Sequence, residues 1–474
     1  MTASTPQLVR SRAPRTVLLV GCVVATAIPI ATPTLVPPTG QVFLVVAATL
    51  AAVAYAVLEG RDSRLGLAPL VVAVGALLAV SVVAPPRGSH DIWSYVMYGR
   101  IASVHHANPY VTLPAAFPHD PFVTRVASGW RHTPSVYGAT FTAYSAAVTW
   151  LAGGSALGAR LAFQGLAAGA VVAALVLLWR RYRRPAVVAM LGLQPVVWIS
   201  VVNNGHNDAV VGLAILVGAL LLATGHVRVA AVALALAATV KLTAALAVVG
   251  GAIWLWRREG TRVATVFSSI AAVVVAAAYA PVVATNLGAL SGADHRVSRG
   301  SSWNPSLHWF VSAAGGRHLL AGLTRAQALS TLTVAALVVV AVAAVVLAMK
   351  RSSSRDASGS VGSATAAYLF GGSYVLPWYS LWVLPTAAAR DRSWTTWVIA
   401  IQAGVLAAIY QMPQTPTGAA LDGDLRFVLT RVAPILLLVA FVVTFVVEST
   451  RTAPRGPDRV FAYAPLPRGD RVVA

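Results

Sequence analysis

Of the 474 residues, 58% are hydrophobic and only 10% are charged, and the mean hydropathy is +0.74. A soluble chain carries about 25% charged residues, so these charges are too few to cover a water-soluble globule of this size. The formal charge of +21 would suit nucleic acid, but the positive residues gather at the ends of apolar runs, as membrane topology determinants do. No nucleic-acid module, P-loop or G-x-S-x-G elbow is present.

The apolar runs are rich in Ala, Val and Leu, and many reach the ~17–25 residues a helix needs to cross a bilayer. The ~10-residue alternating strands of a membrane barrel are absent. In chain order the predicted spans lie near 16–36, 41–58, 65–84, 157–179, 185–201, 209–224, 228–241, 243–256, 262–284, 327–349, 363–376, 379–390, 394–411 and 427–447. The shortest, around Lys241 and Pro377, read equally as re-entrant or fused segments, which gives a range of about 11–14 spans. The predicted fold is therefore all-α and polytopic. Residues 1–15 form a basic cytoplasmic head, 16–447 the transmembrane domain, and 448–474 an Arg/Pro-rich disordered cytoplasmic tail. The basic flank of the first run resembles a signal peptide, but the run exceeds a normal h-region and further spans follow, so it reads as retained.

With the N-terminus inside, most of the 35 Lys and Arg fall on one side: Arg10, Arg12 and Arg15, Arg61 and Arg64, the cluster at 180–184, Arg228, Arg257, Arg258 and Arg262, Lys350, Arg351 and Arg355, Arg390 and Arg392, and the tail. This is the positive-inside pattern of a multi-pass plasma-membrane protein. Keeping it requires the apolar stretch 138–152 to lie as a helix on the outer surface rather than cross. The outer loops are long and chemically mixed, chiefly 85–156 and 285–326, with short surface helices. Function is expected on that face.

Polar residues that could carry chemistry sit in those loops, in the shorter outer turns 202–208 and 373–379, and at the tip of the 228–256 hairpin. Asp91, in Gly88-Ser89-His90-Asp91-Ile92-Trp93-Ser94-Tyr95, is a carboxylate at the predicted interface, where partial burial would raise its pKa and suit it to act as a general base. It could equally begin a surface helix as a cap. Arg100 and Asn108 follow in Tyr98-Gly99-Arg100 and Asn108-Pro109-Tyr110. Between two spans, Asn203-Asn204-Gly205-His206-Asn207-Asp208 offers more donors and acceptors than a turn needs, although Asp208 could simply cap the next helix. Lys241 is the only lysine among the apolar runs; it either snorkels or meets a phosphate. Arg296 could pair with a phosphate, and Trp303 could stack on a sugar or anchor at the headgroup layer. Ser373-Tyr374-Val375-Leu376-Pro377-Trp378-Tyr379 breaks an apolar stretch, as backbone does only inside protein or beside a cavity. No metal-ligand spacing stands out; a divalent metal is possible but not indicated, and no cofactor is expected. The single cysteine, Cys22, lies in the first apolar run and argues neither for a disulfide nor for reactivity.

Asp91 followed by Ser-Tyr and Gly-Arg, then Asn-Pro-Tyr, Asn-x-x-His-Asn-Asp at mid-chain, Lys-x-Thr at 241–243, and Ser-Tyr-Val-Leu-Pro-Trp-Tyr near the C-terminus together resemble the actinobacterial polyprenol-phosphomannose-dependent mannosyltransferases of the GT-C superfamily, the lipomannan α-1,6-mannosyltransferases among them. The resemblance spans about residues 15–447. It implies a GT-C-like fold and an inverting transfer of mannose from a polyprenyl-phosphate donor to a lipid-anchored mannan acceptor at the extracytoplasmic face. It also implies Asp91 as the base. Tyr95, Arg100, Asn108, His206, Asn207, Asp208, Lys241, Arg296, Trp303, Tyr374, Trp378 and Tyr379 are then the candidate substrate-binding residues. The paired-carboxylate D-x-D of some relatives is absent at Asp91. Alternatives are a transferase of another prenyl-phosphate sugar, a secondary transporter or lipid flippase, and a structural membrane protein. A transporter would place ionisable groups near mid-span and show inverted repeats; here the carboxylates avoid mid-span positions.

Overall fold

The computed structural model describes residues 12–285, 297–316, 324–353, 356–413 and 420–450. Among them every regular element is helical. The helices form because their sequences are apolar nearly all round, which in a small chain means a lipid environment or a deep core. Leu67–Val83, for example, contains no charged residue. Val71, Val72, Val334, Val338 and Val443 are each about half or more exposed on outward helix faces, a distribution that suits hydrocarbon rather than water. Among the described residues six helices are long and apolar enough to cross a membrane: Ala13–Ala31, Pro38–Asp62, Ala156–Tyr182, Thr261–Thr285, Ala326–Arg351 and Leu421–Thr450. A bent pair, Pro185–Gly192 and Val196–Val202, makes a seventh if it is one span, and three shorter apolar helices accompany them. The protein is a polytopic all-α membrane protein.

Two segments depart from the expected continuous spans. Residues 185–201 are broken at Gln194-Pro195, where the two halves meet at 47°. Proline has no N–H and removes the helical hydrogen bond to the Leu191 carbonyl, which accepts from Gln194 N at 3.3 Å instead, while Trp198 Nε1 closes the end of the first half by donating to the Gly192 carbonyl at 2.8 Å. Residues 379–390 are not a spanning helix. They form a 3-10 turn, Pro377–Trp382, and a short helix, Leu384–Ala388. Pro377 and Pro385 each remove a donor, and the stretch is buried between Asp208–Ala223 and Trp394–Gln411, so its irregular backbone meets protein rather than lipid. Among the described residues six or seven helices, taken by length and composition, are long enough to cross on their own, against the 11–14 spans expected; the other apolar runs form shorter helices or flank such breaks.

The stretch 138–152 is a helix, Ala139–Ala152, packed along Asp91–Ser103. The two backbones touch at Gly99, where a Cβ would overlap the Ser145 carbonyl. The loops assigned to the basic face meet at one end of the bundle. Arg15 pairs with Glu59 at 3.2 Å, Arg184 with Asp391 at 2.8 Å and Arg351 with Glu448 at 3.0 Å, while Tyr182 donates to Asp356 at 2.7 Å.

Gly212 lets Asp208–Ala223 lie directly on the Leu381 carbonyl, and a Cβ there would collide with backbone. Overpacking of this kind costs about 1–3 kcal/mol. Gly212→Val is expected to lower the thermal unfolding temperature of the detergent-solubilised protein by several degrees, whereas Gly75→Val, in the helix Leu67–Val83 with open space around it, should cost less. Equal losses would mean that the Leu381 contact does not set the packing.

Candidate active site

Asp91 starts the helix Asp91–Ser103, and its position is fixed from across the molecule. Asn204 Oδ1 accepts from the backbone N–H groups of Arg87, Gly88 and Ser89 at 3.2, 3.0 and 3.2 Å. Asn203 Nδ2 donates to the carbonyls of Ser81, Ala84 and Pro85, each at 3.1 Å. Gln164 Nε2 closes the knot on the Asn203 carbonyl at 2.7 Å. Two of the three asparagines that looked free to serve a ligand are therefore spent on the chain's own backbone. They hold the end of one helix and the start of the next against the turn at 203–207.

Lys241 ends the helix Val227–Val240 in an extended conformation. Its neighbourhood is set by Gly138, whose N–H donates to the Val240 carbonyl at 3.0 Å, and by Tyr279, whose hydroxyl donates to the Ala238 carbonyl at 3.0 Å. Lys241 Nζ donates to both carboxylate oxygens of Asp208 at 2.8 Å. Asp208 Oδ1 also accepts from Trp382 Nε1 at 2.7 Å. The ammonium lies over the rings of Tyr379 and Trp382, 4.6 and 5.8 Å from their centroids. His206 stacks on Trp378 with centroids 3.7 Å apart and planes 15° apart. Its Nδ1 lies 3.1 Å from the Tyr95 hydroxyl and 3.8 Å from Asp91 Oδ2.

These segments enclose a cavity of about 150 Å³. Asp91, Lys241, Tyr374, Trp378 and Tyr379 line it, as the sequence proposed, together with Trp130, Tyr137, Thr243, Tyr279, Tyr368 and Thr333. Tyr95, His206 and Asp208 stand behind the wall, fully or almost fully buried. Asn207 is buried beside them, and neither of its amide atoms has a hydrogen-bond partner among the described residues. Three proposed residues are not brought to the cavity. Arg100 pairs with Asp120 at 2.8 Å and donates to the Gly153 carbonyl at 3.1 Å. Asn108 makes an Asx turn by accepting from Tyr110 N at 2.9 Å. Trp303 Nε1 donates to the Gly371 carbonyl at 2.7 Å. Arg296 lies outside the described residues.

Burial pushes Asp91 up from the usual carboxylate range to about 6, against the pull of nearby Lys241 and a bond from Ser89. Its side chain keeps about one-fifth of its surface open. At neutral pH it is thus mostly ionised yet basic enough to take a proton. Burial, with Lys241 adding to it, holds His206 well below its usual value, so the imidazole is neutral. Among the described residues the lining carries one cation, Lys241, beside phenols and indoles. Such a site can grip an anion at one point, stack a ring against aromatic faces, and deprotonate a hydroxyl at Asp91.

The sequence does not single out Tyr137, Tyr279 or Tyr368, and Trp382 reads only as the end of the aromatic break 373–382, without a site role. Tyr279 and Tyr368 sit in otherwise apolar helices, where an isolated aromatic reads as core. Trp382 falls four residues past Trp378, and that spacing was the available signal.

Asp120 is the anchor of the loop that follows Asp91–Ser103. Burial raises its pKa, but hydrogen bonds from Phe122 N, Arg100 and His105 outweigh burial and hold it below the usual range. Removing one partner of a buried pair costs about 3–5 kcal/mol. Arg100→Ala is expected to lower the unfolding temperature clearly while leaving ligand affinity of the surviving folded fraction unchanged. A large affinity change with no loss of stability would place Arg100 in the site after all.

A family model described as alpha-(1->6)-mannopyranosyltransferase, N-terminal domain, matches residues 12–258, slightly more than half of the chain. That stretch contains Asp91, His206, Asp208 and Lys241. No curated protein matches the chain, and no solved structure matches it.

Proposed function

The chain belongs to the alpha-(1->6)-mannopyranosyltransferase family, and from that premise we propose that this mannosyltransferase takes mannose from a polyprenyl-phosphate donor and passes it, with inversion, to a lipid-anchored mannan acceptor. The observation that carries the reading is the pairing of one open carboxylate, Asp91, with one ammonium, Lys241, on the wall of a single cavity. Asp91 takes the proton of the acceptor hydroxyl. That oxygen attacks the anomeric carbon from the side opposite the phosphate. The electron pair of the breaking carbon–oxygen bond leaves with the phosphate, whose growing charge faces Lys241. Phosphate is a good leaving group, so the step does not require a protein acid.

The aromatic walls suit a pyranose. Trp378, braced from behind by His206, and Tyr379 present flat apolar faces to sugar C–H groups, while the hydroxyls of Tyr137, Tyr279 and Tyr374 supply hydrogen bonds. A prenyl-anchored donor explains why the cavity opens among membrane helices. Asp208 and Lys241 sit at the ends of Asp208–Ala223 and Val227–Val240 opposite the Arg228 turn that joins these helices, which, with the arginine pattern, supports a site on the extracytoplasmic face of the plasma membrane.

Purified full-length protein given polyprenyl-phosphate mannose and a short mannolipid is expected to extend the acceptor by α-1,6-linked mannose. An EDTA arm reports any need for a metal. Asp91→Asn should reduce turnover by about 10²–10⁴-fold, the usual worth of a general base. Because the folded pKa of Asp91 lies above its unfolded value, the native state holds its proton more tightly, and ionising Asp91 costs stability as pH rises through about 6. The same variant should therefore unfold at an equal or higher temperature. Transfer by the unaltered protein should fall as pH drops below about 6. Full activity in Asp91→Asn, or a flat acid limb, would remove Asp91 as the base.

A further inference from the structure

Asp208 was expected to meet substrate, yet its carboxylate is fully buried and both oxygens are occupied by Lys241 and Trp382. No oxygen is left over for a sugar. We propose that Asp208 is a positioning residue that acts through Lys241, part-neutralising the ammonium so that the cavity does not retain the phosphate product more tightly than the donor. The inference deepens the proposed function and rests on it for the identity of the two phosphates.

The argument is one of charge. The donor is a phosphodiester with one negative charge. When the bond from the anomeric carbon to the phosphate oxygen breaks, the oxygen keeps the electron pair and the product is a phosphomonoester. Such a group carries about −1.5 to −2 at pH 7, because its second pKa is about 6. A lone, poorly hydrated ammonium would hold this product more firmly than the donor and slow its release. Lys241 is not lone. It is clamped at 2.8 Å by both Asp208 oxygens, its side chain is only 12% exposed, and the Tyr379 ring lies 4.6 Å away. The cavity therefore offers an oriented cation whose net field is reduced. That field is enough to steady charge as it develops, but it is weaker toward a finished dianion. Trp382 fixes the Asp208 side of the clamp from the 3-10 turn that also carries Trp378 and Tyr379.

The test uses the full-length protein in nanodiscs and two probes: a short-chain prenyl phosphate and its methyl phosphodiester. Affinity for each is read from tryptophan fluorescence, and the quantity of interest is the ratio of the two dissociation constants. Asp208→Asn is expected to shift the ratio about tenfold toward the monoester, on the scale of a close charge pair losing its countercharge. Lys241→Gln should bring the ratio near one, and Asp208→Asn added to Lys241→Gln should change it no further. In turnover, Asp208→Asn should lower kcat more than it raises KM, with stronger inhibition by prenyl phosphate. Should Asp208→Asn fail to fold, Trp382→Phe keeps the carboxylate but loosens it and should move the ratio the same way by a few-fold. An unmoved ratio in the folded variants, or an equal shift when Lys241 is already Gln, overturns the inference. If the unaltered protein transfers no mannose while these ratios hold, the proposed function fails and the charge-tuning role of Asp208 stands. Transfer with unmoved ratios has the opposite meaning.

Discussion

The structure depends on one buried carboxylate. Asp208 joins three stretches far apart in the chain: the start of its own helix, Lys241 at the end of the next, and Trp382 in the C-terminal turn. A buried charge is tolerated only when it is paired and hydrogen-bonded, so the three cannot separate without exposing an unpaired ion to a low-dielectric interior. The cost enforces the geometry. Lys241 faces the cavity because it has only one place to put its charge, and the aromatic turn is drawn over it. The asparagine knot at 203–204 does the same for Asp91 with neutral hydrogen bonds. Asp91 and Lys241 are thus set by two adjacent pieces of one short turn.

This explains how much of the molecule was legible in the sequence. Membrane class followed from composition, because apolar runs without charge admit few other environments. The grouping of loops followed from arginine positions, and the ion pairs among Arg15, Arg184, Arg351 and their acidic partners bring those loops together. Most helices followed from the length of the apolar runs. Residues 379–390 did not, because hydropathy cannot distinguish a stretch buried in lipid from one buried in protein. The two prolines flanking that turn carried the distinction, and their meaning depends on what packs around them.

At the site, Asp91, Lys241, Trp378 and Tyr379 were legible because each is a polar or bulky interruption of an apolar pattern. Their roles were less so. Asn203, Asn204, Arg100 and Asn108 looked like ligand groups and are instead ties between parts of the fold. A membrane protein with irregular outer loops must satisfy many backbone groups without water, and side chains that do so have the same composition as side chains that bind sugars. Only their partners separate the two. Tyr137 and Tyr279 present the reverse case, since phenols in apolar surroundings read as packing until a cavity is seen beside them.

The most direct measurement is a structure of the full-length protein with a non-transferable polyprenyl-phosphate mannose analogue bound. The account predicts phosphate oxygens within hydrogen-bond reach of Lys241 and the anomeric carbon turned toward Asp91, with room between them for one hydroxyl. A phosphate seated away from Lys241, or a sugar bound with Asp91 on the far side of a closed wall, would contradict it.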